Sequence, residues 1–349
     1  MAFKTRERLG SFGYRTRRGS LDAISESNNF HESNGRKWCS TGTSELLPGQ
    51  SVGLEIDHII ETRKTPFNDV LLVKSKTFKE TLILNGIPHL TKTDGFVPFE
   101  MATHVPLLCH PDPRHILIVG GMDGSGLTAE ILKHPSVESI HHCEEDSEMV
   151  ELVKKTFRVS GFDHDNPKYK YFSMNAKDFL RNKDGQYDVI ITDRSLTTHE
   201  ADPGIFGVSY FELIKDALKR NGIAVTLSWG IWIELRPPDK ILKENIRWIR
   251  NLFPSVNYYA VSAPSFPTGQ GGYIIASKEE NKDFKTPLRN LSESEMKPWK
   301  LRYYNPEVHF AAFALPQFAK QQLFPPKPQI VDETRRLDLP RQLCLSTSC

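Results

Sequence analysis

The stretch Ile116-Leu117-Ile118-Val119-Gly120-Gly121-Met122-Asp123-Gly124-Ser125-Gly126 decides how this chain folds. Four branched apolar residues without polar alternation read as a strand buried on both faces. The glycines behind them permit a tight turn and let a ligand approach the backbone. Residues 127–133 then read as a helix. Working outward, strands are expected at 137–142, 171–173, 189–192 and 223–227, with helices at 147–157, 177–181, 210–219 and 240–253. Asn221-Gly222 reads as the stop of the third of these helices. Two runs at 258–262 and 273–277 close the unit. This alternation predicts an α/β fold with a doubly wound parallel sheet and helices on both faces.

Before this unit the pattern shortens to β-type runs at 52–60, 69–73 and 81–84. The last is closed by Asn85-Gly86, a hairpin signal because both residues tolerate positive φ. A small N-terminal antiparallel β domain is therefore expected over 37–107 and the Rossmann-like domain over 108–324. Between them, residues 100–108 read as a helix and Pro111-Asp112-Pro113 as a breaker. Residues 1–36 are rich in Arg, Ser, Gly and Asn and lack apolar periodicity, so they read as disordered. Residues 325–349 read as a flexible tail.

Composition narrows the class. The chain has 349 residues and a net charge of +2, too balanced to predict a nucleic-acid partner. No run of about 18 apolar residues suggests a membrane span, and the N-terminus has no apolar signal region. The five cysteines, an odd number without metal-type spacing, read as reduced thiols. A cytoplasmic protein without a metal site is expected.

Glu144 lies 20 residues past Gly124, at the end of the next expected strand, where a carboxylate can accept both ribose hydroxyls. Asp123 inside the glycine turn would repel a pyrophosphate and suits a cationic ligand, such as an adenosyl sulfonium bearing an amine. Asn175 is placed either to read an adenine edge or to cap the helix that follows it.

Several motifs occur in one order along the chain. Pro48-Gly49-Gln50, Ser75-Lys76-Thr77 and Leu84-Asn85-Gly86 fall in the β unit. Gly120-Gly121-x-Asp123-Gly124, Lys133-His134-Pro135-Ser136-Val137-Glu138 and Cys143-Glu144-x-Asp146 fall in the sheet. Pro264-x-x-Pro267-x-Gly269-Gln270 and Tyr303-Tyr304-Asn305-x-x-Val308-His309-x-Ala311-Ala312-Phe313 complete the set. With these the chain resembles the spermidine synthase, or polyamine aminopropyltransferase, family from about Trp38 to Phe324. The resemblance implies a methyltransferase-like Rossmann sheet, a homodimer, and decarboxylated S-adenosylmethionine as co-substrate rather than a resident cofactor. It further implies putrescine as acceptor, Asn68, Gly120, Gly121, Asp123, Glu144, Asn175 and Ala176 around the donor, and His89, Asp94 and Phe266 around the acceptor.

The departures cluster on the acceptor side. The family's Asp-Ser-Ser-Asp is Asp193-Arg194-Ser195-Leu196 here, so Leu196 stands where the proton-accepting Asp is expected, while Asp193 remains as the catalytic carboxylate. Asp-Glu becomes Asp94-Gly95, and a Tyr, a Gln and a gatekeeping Tyr become Pro98, His89 and Phe266. A diamine needs anionic partners, because an unpaired buried ammonium is strongly unfavourable. Three readings follow. The first is an aminopropyltransferase that recruits Glu200 or Asp202 as base. The second is an inactive paralogue serving as a binding or regulatory subunit, as a homodimer or with an active homologue. The third is a transferase of N-methyltransferase type that uses S-adenosylmethionine on another acceptor.

Overall fold

A computed structural model describes residues 30–41, 50–122, 124–159, 162–193, 208–234 and 241–325. The chain opens with β1 (Phe30–Ser33), β2 (Arg36–Thr41), β3 (Val52–Lys64), β4 (Asp69–Ser75), β5 (Lys79–Leu84) and β6 (Ile87–Thr91). These pair in sequence order as one six-stranded antiparallel sheet. Asn85 and Gly86 turn between β5 and β6 at φ 50° and 82°, as the Asn-Gly signal predicts. A second such pair, Asn34-Gly35 at φ 52° and 69°, turns between β1 and β2. Residues 30–36, read from composition as part of a disordered segment, are therefore strand and turn. Their ladder partners supply the order that their own polar sequence does not predict.

Successive residues in the strands of this sheet point to opposite faces, and both faces are filled. Val73 and Ile83 pack with Cys39, Leu54 and Ile56 on one side. Leu72 and Leu82 pack on the other side against Met149, Leu152, Val153 and Phe157 of the larger unit.

That larger unit begins with α1 (Phe96–Cys109), followed by β7 (His115–Gly120), α2 (Ser125–Ile131), β8 (Ser139–Cys143), α3 (Ser147–Thr156), β9 (Tyr169–Phe172) and α4 (Ala176–Leu180). It continues with β10 (Tyr187–Asp193), α5 (Val208–Ala217), β11 (Leu218–Trp229), α6 (Ile231–Glu234), α7 (Ile241–Leu252), β12 (Ser255–Ser262) and β13 (Gln270–Ser277). Three short helices follow: α8 (Glu293–Trp299), α9 (Pro306–Ala312) and α10 (Gln317–Leu323).

The seven strands lie in the order β12-β13-β11-β10-β7-β8-β9. The five strands from β11 to the β9 edge are parallel, and β13 runs antiparallel to both β11 and β12. The sheet is thus mixed at one edge rather than wholly parallel, because the β12–β13 pair returns without a crossover helix. A separate apolar core covers each face.

Two expected boundaries move. Val97, Met101, Val105 and Leu108 of α1 pack in the core beneath the large sheet. This helix therefore belongs to the larger unit, whereas the sequence division at 107/108 left it with the small one. Nor does Asn221-Gly222 stop a helix: α5 ends at Ala217 and β11 starts at Leu218, with a register shift against β10 between Tyr187 and Val189. The Asn-Gly pair lies inside the longer strand where the ladder slips.

Glu100 ties the C-terminal segment to α1. Its carboxylate, 1% exposed, accepts the backbone N–H groups of Arg302, Tyr303 and Tyr304 at 2.8–3.2 Å. Among the described residues no helix is long and apolar enough to cross a membrane, and Cys39, Cys109 and Cys143 are buried and joined in no disulfide.

Candidate functional site

The strand order reverses between β7 and β10. Ligands of open α/β sheets bind in the crevice at such a switch point. Here a cleft enclosing about 920 Å³, counted to its open mouth, lies between the small sheet and the ends of β7 and β10.

Its floor is the glycine loop. Gly120 and Gly121 have φ 77° and 79°, where a side chain would be strained. Gly121 N–H donates to the carbonyl of Asp193 at 2.5 Å, joining the loop to the end of β10. Met122 also has positive φ, 59°. Its side chain packs among the apolar residues between the small sheet and α3, which offsets the strain of a non-glycine residue there.

One wall carries carboxylates. Glu144, half-buried at the end of β8, lines the cleft and accepts the N–H of Asp146 on Oε1 at 3.0 Å. Asp146 caps α3 by accepting Met149 N–H at 3.1 Å. Its other oxygen accepts the Thr65 hydroxyl at 2.6 Å and the Asn68 amide at 3.0 Å. This buried clamp fastens the β3–β4 turn of the small sheet to the rim of the Rossmann unit. Asn68, expected at the donor, does line the cleft. However, its amide spans Asp146 and Asn85, so its visible role is to join the two units. Asp146→Ala strips a cap and leaves two buried donors unpaired, and should lower the unfolding free energy by about 3 kcal/mol. Urea denaturation measures this directly.

Apolar side chains also line the cleft. Leu90, Pro98, Phe99, Leu227 and Phe266 line it, with His89 half-buried beside them. Burial pushes the His89 imidazole down to about 4, so it is neutral at pH 7 and supplies no charge. The Pro98 carbonyl accepts the hydroxyl of Tyr273 at 3.3 Å, which fixes this first turn of α1 over the sheet.

Asp94 has a different position from the one expected of an acceptor contact. It is buried, accepts the Thr91 hydroxyl at 2.6 Å and accepts the backbone N–H of Ser265 at 2.8 Å. It thereby holds the loop that carries Phe266, one residue further on, against the cleft.

Asp193 is the carboxylate at the end of β10. It lines the cleft half-buried, and burial pushes its carboxyl up to about 6. A cationic ligand beside it would pull that value back down. Affinity for an aminopropyl sulfonium should therefore rise as the pH goes from 5 to 7 and Asp193 ionises. Affinity for methylthioadenosine, which lacks the ammonium, should stay level. Calorimetry at both pH values, with proton release followed in two buffers, tests this.

Asn175 is seen as the cap: its side-chain oxygen accepts Lys177 N–H at 2.9 Å, and its amide donates to Glu145 at 3.0 Å. Ala176, beside it, is buried in one core. Asp123, Leu196, Glu200 and Asp202 lie outside the described residues. The Asp146 clamp and the Asp94–Ser265 bond were missed from sequence, since their partners lie 78 to 171 residues away. The motifs Cys143-Glu144-x-Asp146 and Asp94-Gly95 marked both positions without giving their partners.

A cleft at the switch point of a Rossmann-like sheet, lined by Gly121 and by carboxylates at the strand ends, places the chain among α/β proteins with a ligand-sized crevice there. Comparisons with known proteins agree. Residues 96–286 match the spermine/spermidine synthase domain, and residues 38–92 match the spermidine synthase tetramerisation domain. Spermidine synthase of Dictyostelium discoideum is 38% identical over 283 residues, 80% of this chain and 95% of that protein. Spermine synthase of Saccharomyces cerevisiae is 34% identical, over 81% of this chain and 94% of that one. A crystal structure of spermidine synthase in complex with the transition-state analogue AdoDATO superposes with TM-score 0.71 at 28% identity, covering 79% of this chain and 91% of that one. Spermidine synthase from Thermotoga maritima gives TM-score 0.70 at 27% identity, covering 82% and 94%. The chain belongs to the spermidine/spermine synthase family.

Proposed function

We propose that the cleft binds decarboxylated S-adenosylmethionine and that the chain transfers its aminopropyl group to putrescine at a reduced rate. The observation that carries this reading is that Glu144 and Asp193 line one cleft above the glycine loop. Glu144 takes the ribose hydroxyls. Asp193, ionised above pH about 6, faces the aminopropyl ammonium and is the described carboxylate nearest in sequence to the missing base.

In the transfer, the acceptor nitrogen forms a bond to the terminal carbon of the propyl group attached to sulfur. The carbon–sulfur bond breaks, methylthioadenosine leaves with the electron pair, and the new ammonium gives up a proton. With Leu196 in place of the expected base, that proton passes to Asp193, to Glu200 or Asp202, or to water. The family's tetramerisation domain supports an oligomer, with a second copy of this chain as partner.

One feature favours a second reading, in which the chain binds nucleoside as a regulatory subunit. The acceptor wall of Leu90, Pro98, Leu227 and Phe266 offers no anion for a diamine. Calorimetry with methylthioadenosine, S-adenosylmethionine and its decarboxylated form, followed by a spermidine assay, separates the two. Binding with spermidine produced supports transfer, binding alone supports the subunit, and no binding overturns both.

A further inference from the structure

We propose that His142 and Tyr169 are positioning residues that lock the Gly120–Gly121 peptide of the nucleoside loop in one orientation. The proposal rests on the nucleoside-binding reading above and deepens it.

A peptide between two glycines has no Cβ on either side to resist rotation. Here both flanking residues have φ near +80°, and Gly121 lines the cleft. The peptide is held at both ends. Its N–H, from Gly121, donates to the Asp193 carbonyl at 2.5 Å, and its oxygen, from Gly120, faces His142 Nε2 at 2.8 Å.

The chemistry of that second contact fixes the tautomer of the ring. A carbonyl can only accept, so the proton is on Nε2. Burial holds His142 near a pKa of about 4, so the ring is neutral and Nδ1 carries a lone pair. Tyr169 meets it at 2.7 Å and donates its hydroxyl proton there. The relay runs from Tyr169 O–H to His142 Nδ1, and from Nε2–H to the Gly120 carbonyl.

The surroundings fit this role. His142 is 0% exposed and lies directly beneath Gly124, where a Cβ would come within 2.8 Å of Nδ1. The ring occupies space that only a glycine loop leaves open. Tyr169 is in turn set edge-on against Phe162, with ring centroids 5.0 Å apart. Neither residue touches the ligand space itself, since neither lines the cleft. They act through the loop.

If a fraction of molecules has the peptide flipped, apparent affinity falls by that fraction. Losing the bond to Gly120 would leave a buried carbonyl unpaired, which is enough to shift such an equilibrium about tenfold.

The test uses the full chain with methylthioadenosine as calorimetric probe, and thermal unfolding of each variant to establish that it folds. His142→Leu should weaken binding about tenfold, Tyr169→Phe a few-fold, and His142→Gln, whose amide can again donate to Gly120, should recover much of the loss. Equal affinity in all variants overturns the inference, as does a His142→Leu loss that Gln does not repair, which would mark packing alone. If the natural chain binds no nucleoside, the reading of the cleft falls and this inference with it. If it binds and every variant matches it, only this inference falls.

Discussion

Replacing Leu196 by Asp is expected to raise aminopropyl transfer to putrescine by about 10²- to 10⁴-fold. The attacking amine must be uncharged to form its bond to carbon and must lose a proton afterwards. A carboxylate at the acceptor nitrogen serves both steps, and it also offers the anion that a buried diamine requires. Leu196 lies three residues past Asp193, at the second acidic position of the family motif, and supplies neither. In the proposed reaction Asp193 belongs to the donor half. If it neutralises the aminopropyl ammonium, it is a weakened base for the acceptor. Adding Pro98→Tyr to Leu196→Asp should increase the gain, because Pro98 lines the acceptor wall and presents no hydroxyl. A steady-state assay of spermidine formation for the natural chain, the single variant and the double variant decides the matter. Gains in that order mean a transferase with worn catalytic groups. No gain in either variant means the cleft has been rebuilt for another acceptor, and the putrescine reading fails.

Much of this site could be read in the sequence because its chemistry follows strand ends. The apolar run before Gly120 fixes β7, and a carboxylate about 20 residues on falls at the end of the next strand whatever else surrounds it. Glu144 was found in this way, whereas Asp193 came from the likeness of Asp193-Arg194-Ser195-Leu196 to a family motif. Side chains that reach across the chain are a different matter. Asp94 sits in a motif that marks acceptor contacts, yet its oxygens are taken by Thr91 and by Ser265, 171 residues later. Nothing local announces that bond. Asn175 satisfied two readings equally, and the cap geometry to Lys177 decides which one is visible. The first hairpin escaped notice for a related reason. Its strands are short and polar, with Phe30 and Trp38 as their large apolar residues, and their order comes from pairing with β3. His141-His142 lacks the spaced partners that a metal site needs. The partners of His142 are a carbonyl and a tyrosine hydroxyl, which no ligand spacing describes.

Glu144→Gln should weaken methylthioadenosine binding by about 30- to 100-fold while leaving the fold intact. Vicinal ribose hydroxyls both donate, and a carboxylate has two acceptor oxygens in one plane to meet them. Charge-assisted bonds of this kind are about twice as strong as neutral ones. Glutamine keeps the shape but offers one acceptor oxygen and an amide N–H donor that opposes the second hydroxyl. The backbone at Glu144 is held independently of the side chain: its N–H donates to Phe172 at 3.2 Å and its carbonyl accepts Tyr171 O–H at 3.1 Å. The substitution therefore changes the carboxylate without moving the strand end. The form of the ligand sharpens the result. Loss at Glu144 should be the same for methylthioadenosine and for decarboxylated S-adenosylmethionine, since both carry the ribose. Asp193→Asn should spare the first and weaken the second, because only the second carries an ammonium. A Glu144→Gln variant that binds both as tightly as the natural chain would remove the ribose contact from the cleft. The polar wall would then have to serve some other ligand.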